Sequence, residues 1–137
     1  MTPTILDHIG YLTDSIADTA RQFESLGYQA GPITNDDTQR TRICMLTRTD
    51  EVAIELVEPY ENNKTMVRML KTHGVAPYHV CYRVDNIQQA YDQLIEQGWT
   101  ALFAPVPAPA FNNRKICYFW KREAGFMELV ENKAMDN

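Results

Sequence analysis

Apolar and polar residues alternate over residues 5–13, and a period of two sends His8, Gly10 and Leu12 to one face of a strand and Ile9 and Tyr11 to the other. The period then lengthens to that of a helix. Ile16, Ala20, Phe23 and Leu26 form a core-facing stripe. Ser15 stands as N-cap with Asp18 three residues on, and Gly27 supplies the stop. Residues 28–39 are polar and turn-rich, punctuated by Gly31-Pro32 and Asn35-Asp36-Asp37. Residues 42–47 and 52–58 read as two strands joined by a turn at Arg48-Thr49-Asp50-Glu51. In the second of these strands Ala53, Glu55 and Val57 share one face, opposite Ile54 and Leu56, and Pro59 ends the run.

Residues 61–74 carry a helical connector, with Asn63 as cap, Met66 and Leu70 on one side, His73 in the last turn and Gly74 as stop. The pattern then begins again. Residues 78–101 repeat residues 7–30 without a gap: His79 answers His8, Tyr82 answers Tyr11, Asp85 answers Asp14, Ile87 answers Ile16 and Gly98 answers Gly27. Asn86 with Gln89 repeats the cap, and Ile87, Ala90, Tyr91, Leu94 and Ile95 repeat the stripe. Residues 100–104 read as a strand. Pro105, Pro107 and Pro109 make a stiff loop that stays out of any ladder, and residues 114–120 and 125–131 are the last two strands. The phrase Glu55-Leu56-Val57-Glu58 returns as Glu128-Leu129-Val130-Glu131, two residues later in register than the first repeat, which places the extra residues in a loop.

Each half is thus a βαβββ module. The expected fold is α+β: two modules forming a cupped, eight-stranded mixed sheet with the helices outside. A chain of 137 residues has the size of one compact domain. The expected division is a first module over about residues 1–60, a connector helix over about 61–75 and a second module over about 76–137. Two copies of so long a period exclude a solenoid.

A formal net charge of -5 argues against a nucleic-acid partner, which needs clustered positive charge to displace counterions. Cys44, Cys81 and Cys117 are odd in number, lack CxxC spacing and lie in apolar runs, so they read as small buried side chains in a reducing compartment. No apolar run approaches the length of a membrane span and the first residues do not form a signal peptide. The expectation is a soluble cytoplasmic protein with no membrane partner.

The duplication gives the chemistry its focus. Two of the three histidines, His8 and His79, recur at one strand position, and Glu55 and Glu128 recur at another. Two imidazoles and two carboxylates suit one divalent ion, zinc, nickel, cobalt, manganese or iron, and spacing does not choose among them. A row of like-placed histidine and glutamate on a concave face is costly without a cation to neutralise it. Glu58 and Glu131 also recur, but they close their strands and read as solvated rim residues. His73 has no counterpart and reads as a surface residue compensating the helix dipole. Asp36 and Asp37 read as turn formers, with a catalytic base as the sharper alternative. Asn113, Arg114 and Lys115 follow the proline loop and are candidates to hold a phosphate or carboxylate of the substrate. Tyr118, Phe119, Trp99 and Trp120 read as core aromatics.

At His8, Glu55, His79 and Glu128 the chain resembles the vicinal oxygen chelate superfamily, which includes glyoxalase I, methylmalonyl-CoA epimerase, extradiol dioxygenases and small antibiotic-resistance proteins. The likeness covers nearly the whole chain. Asp7-His8-Ile9-Gly10, the stretch Ile54-Glu55-Leu56-Val57-Glu58-Pro59 and the run from His79 to Ile87 look most like the epimerase branch. Glu55 departs from it, since the epimerase supplies glutamine there and bacterial glyoxalase I glutamate. The resemblance implies paired modules around a divalent metal held by His8, Glu55, His79 and Glu128. It implies proton abstraction next to the carbonyl of a small carbonyl or thioester substrate, the enolate being stabilised by the metal. Glu128 is then the leading base, with Glu55 able to share the role. The implied activity is that of an epimerase-like isomerase, with a glyoxalase I-like lactoylglutathione lyase as the alternative. A resistance-type protein that only binds a small molecule is the alternative from another class. The resemblance also implies a homodimer.

Overall fold

The computed structural model describes residues 4–132. Among them the chain forms nine strands and three α-helices, an α+β fold, and it divides into two compact units. One runs from His8 to Tyr78; the other runs onward from His79 and also takes the start of the first strand.

The first module holds β1 (Ile5–Leu12), α1 (Ile16–Glu24), β2 (Gln29–Asp36), β3 (Thr41–Thr47) and β4 (Ala53–Pro59), followed by the connector α2 (Lys64–His73). Its strands lie in the order β2-β3-β4-β1, with β3 antiparallel to both neighbours and β1 parallel to β4. The second module holds β5 (Ala76–Val84), α3 (Ile87–Glu96), β6 (Thr100–Ala101), β7 (Val106–Pro107), β8 (Lys115–Lys121) and β9 (Gly125–Glu131). Here the order is β5-β9-β8-β6, β7 also pairs with β8, and β5 is parallel to β9. In each module the first and last strands are therefore parallel neighbours, which requires a long crossover between them. The helix is the first part of that crossover.

The helices bury most of the predicted stripes, although Ile95 of α3 is exposed. Ile16 and Ala20 of α1 pack on Cys44, Leu46 and Leu56, with Phe23 set edge-on between Tyr11 at 5.3 Å and Tyr28 at 5.8 Å. Ile87, Ala90 and Leu94 of α3 pack on Cys117, Phe119, Met127 and Leu129. The caps form as the sequence predicts: Ser15 accepts from the Asp18 N–H at 3.2 Å, Asn63 from Met66 at 3.3 Å and Asn86 from Gln89 at 3.0 Å. Gly27 and Gly98 hold matching left-handed conformations, φ 92° and 93°, just past their helices. Among the described residues no helix is long and apolar enough to cross a membrane.

Several expectations are corrected. Nine strands replace eight: the strand expected over 100–104 is only Thr100–Ala101, β6, and the expected proline loop contributes a further short strand, β7. Pro107 does enter a ladder, opposite Lys115 on a two-residue edge strand, where its missing N–H costs nothing. Most of the turn-rich segment 28–39 is the edge strand β2, bulged between Ala30 and Ile33 where Gly31-Pro32 interrupts the pairing. Leu26 lies beyond the end of α1 and is 62% exposed, so it is not part of the stripe. Glu58 is no solvated rim residue: it accepts from the Ile16 N–H and from Arg42, both at 2.9 Å, and so ties the end of β4 to the start of α1. Glu131 accepts instead from the Lys115 N–H at 2.9 Å.

Three outcomes follow for stability. Gly98→Ala has room for the added carbon, 3.8 Å from Lys121 Nζ, but not the backbone freedom. It should lower the unfolding free energy by about 1–2 kcal/mol in urea titration. Glu58→Ala leaves a helix N–H without its acceptor and should cost about 1–2 kcal/mol, and it should cost more than Arg42→Ala, which removes only the partly exposed ion pair. Burial, and secondarily the charge of Glu128, push the Cys117 thiol from about 9 up to about 12. The folded form thus keeps its proton longer than the unfolded chain. Its contribution is complete below pH 9 and is lost as pH rises toward 12. The melting temperature should therefore fall across that range more steeply in the native chain than in Cys117→Ala.

Candidate functional site

In each module one histidine and one glutamate meet on the face of the sheet turned away from the helix. In the first, the parallel register sets Gly10 opposite Glu55 and His8 opposite Ala53. Because Gly10 has no side chain, the imidazole two residues back can lean diagonally toward the carboxylate, and His8 Nε2 stands 3.6 Å from Glu55 Oε2. In the second, Cys81 lies opposite Glu128 and His79 opposite Phe126, and His79 Nε2 stands 3.2 Å from Glu128 Oε1. A small residue beside each glutamate thus recurs with the pair.

All four side chains are withdrawn from solvent: His8 is 0% exposed, Glu55 1%, His79 4% and Glu128 1%. Ionised carboxylates are buried in proteins when a cation or donors compensate them. An imidazole at this range can do so as imidazolium, or, neutral, can share a metal ion with the carboxylate. The nitrogen and oxygen donors of each pair are of the kind that holds a first-row divalent ion. The charge of Glu128 is felt locally, since it adds to the burial that raises the Cys117 thiol.

The environment of the two pairs differs on the other side of the glutamate. Met45 of β3 is the register partner of Glu55, whereas Tyr118 of β8 is the register partner of Glu128. The Tyr118 hydroxyl lies 3.5 Å from His79 Nε2, its ring meets the imidazole edge-to-face at 5.2 Å, and Phe103 meets the same ring at 5.7 Å. Sequence reasoning placed Tyr118 in the core and missed this contact. The signal was present: the offset that carries Glu55 to Glu128 carries Met45 to Tyr118.

The remaining candidates are placed as follows. Asp36 ends β2, is buried, and accepts from the Gln39 N–H at 3.0 Å and from Gln39 Nε2 at 2.9 Å, which makes it a turn former. Asp37 accepts from the Tyr60 hydroxyl at 2.8 Å, and this bond holds the Tyr60 phenol above its ordinary range. His73 is exposed in the last turn of α2. Asn112 and Asn113 both adopt left-handed backbone, φ 55° and 64°, and are exposed. Arg114 turns back to the carbonyls of Phe111 at 3.2 Å and Glu131 at 3.3 Å, while Lys115 is exposed at the start of β8. Of the aromatic set, Phe119 is fully buried but Trp120 is 41% exposed, so the expectation of a core residue fails there.

Comparison with known proteins bears on the fold and the family. No curated protein sequence matches the chain. Hypothetical protein BH1468 from Bacillus halodurans C-125 is similar in structure, with 23% identity, 99% of each chain covered and a TM-score of 0.85. Methylmalonyl-CoA epimerase from Mycobacterium tuberculosis is similar at 20% identity over 94% of this chain and 88% of that one, with a TM-score of 0.83. A variant of the Streptomyces coelicolor methylmalonyl-CoA epimerase in complex with 2-nitronate-propionyl-CoA is similar at 18% identity over 98% of each chain, with a TM-score of 0.85. At such identities the likeness establishes the fold alone. The sequence model of a family matches residues 7–118, and by that match the chain belongs to the Glyoxalase/Bleomycin resistance protein/Dioxygenase superfamily.

Proposed function

We propose that the two pairs act together, His8, Glu55, His79 and Glu128 holding one divalent metal ion, in an enzyme that abstracts a proton next to a substrate carbonyl. The observation that carries this reading is the recurrence, in both modules, of a buried imidazole against a buried carboxylate. Bound there, the ion would supply Lewis-acid polarisation of a substrate carbonyl. The residues do the rest. His8 and His79 offer ring nitrogens, and Glu55 and Glu128 offer carboxylate oxygens in a setting that excludes water. Glu128 is the proposed base, taking the proton on a carboxylate oxygen and returning it, with Glu55 able to share that work. Asn113, Arg114 and Lys115 are proposed to receive an anionic part of the substrate, and the exposure of Asn113 and Lys115 supports this.

An epimerase-like isomerase is the first reading, supported by the likeness in fold to methylmalonyl-CoA epimerases. A lactoylglutathione lyase of glyoxalase I type is the second, favoured by one observation: position 55 is a glutamate in contact with His8. The reading extends to a cytoplasmic homodimer acting on a small carbonyl or thioester compound.

Purified protein should hold close to one divalent ion per chain by elemental analysis after reloading with zinc, nickel, cobalt, manganese or iron(II) under anaerobic conditions. Failure to hold any of them would favour a binding protein of the resistance type. In deuterated water the loaded protein should exchange the α-hydrogen of methylmalonyl-CoA or of the glutathione hemithioacetal. Exchange of one and not the other decides between isomerase and lyase. Glu128→Gln should lower metal occupancy and reduce exchange by about 10²-fold or more, and activity at wild-type level in that variant would remove Glu128 from the reaction.

A further inference from the structure

We infer that the second module carries an aromatic subsite beside its His–Glu pair, and that the substrate bears a planar ring or comparable flat apolar group next to its chelating oxygens. This rests on the metal-chelate reading above and names a substrate class for it.

Residues opposed in an antiparallel ladder share a face. The pairings Tyr118 with Glu128 and Trp120 with Phe126 therefore put these four side chains on one face of β8 and β9, opposite the one that Cys117 and Phe119 bury beneath α3. Phe103 extends this surface by its edge-to-face contact with Tyr118. The row runs outward from a buried carboxylate, through the half-buried Tyr118, to Trp120, 41% of which is open to solvent.

The duplication supplies a control. At the equivalent places the first module has Met45 beside Glu55, then Thr47 and Ala53. The ligand positions are the same in both modules, so neither the fold nor the ion requires aromatic residues there. An exposed indole next to a phenylalanine is an unfavourable surface unless something covers it, and a flat ring held at the His–Glu pair would lie within reach of stacking.

Benzoylformate and pyruvate test this, because both present the same vicinal oxygens and differ only in phenyl against methyl. With protein reloaded with cobalt(II), calorimetry should show benzoylformate binding about tenfold more tightly, with quenching of tryptophan fluorescence. Trp120→Thr, which installs the residue type of the first module, should reduce the preference to within about threefold and remove the quenching, Trp99 being the only other tryptophan in the sequence. Trp120→Phe should keep most of the preference. Equal affinity of the native protein for the two acids overturns the inference and leaves the metal reading intact, whatever the variants do. Protein that holds no cobalt and binds neither acid removes both. A preference that survives Trp120→Thr while that variant dissociates a dimer in sedimentation assigns Trp120 to a subunit contact, and also overturns it.

Discussion

A carboxylate withdrawn from water beside an imidazole is the interaction on which this architecture turns. Burying an ionised glutamate costs several kcal/mol unless something of opposite charge is held against it. The chain accepts that cost twice, at Glu55 and at Glu128, and sets a histidine beside the carboxylate each time. Much of the local design serves the pair. Parallel pairing brings the first and last strands of a module together, and a glycine or a cysteine beside the glutamate leaves space for the imidazole to approach. The helix seals the opposite face, so the strands keep their alternation in register.

The fold was readable in the sequence because each half checks the other. A single short apolar run is ambiguous between strand and buried helix, but two runs that agree at His8 and His79, at the capped helices and at Gly27 and Gly98 are not. The candidate ligands were readable for the same reason, since duplication singled out two histidines and two glutamates from a chain with 18 acidic residues. In the folded chain each histidine stands beside the glutamate of its own module.

What remained hidden depends on tertiary contact. The strand β2 carries few apolar residues because it lies at an edge and is solvated on both faces, so no periodicity marks it. Glu58 and Glu131 occupy equivalent places in the repeat, yet one secures a helix start and the other a strand start. Trp120 reads as core from its neighbours in sequence. Alternation turns it away from the face that buries Phe119. The repeat identifies what the two halves have in common, and it is silent where they diverge, as at Met45 and Tyr118.

The parallel pairing has a consequence for how the protein comes into being. His8 and Glu55 both lie before residue 60, so their module can close while β5 to β9 are still to be made. His79 must wait for β9, the last strand among the described residues. Until then β5 lacks its parallel partner β9, and β8, the other partner of β9, also has an open edge. The interval before β9 arrives is accordingly the period of greatest exposure to mispairing, and slow translation of residues 85–131 would prolong it.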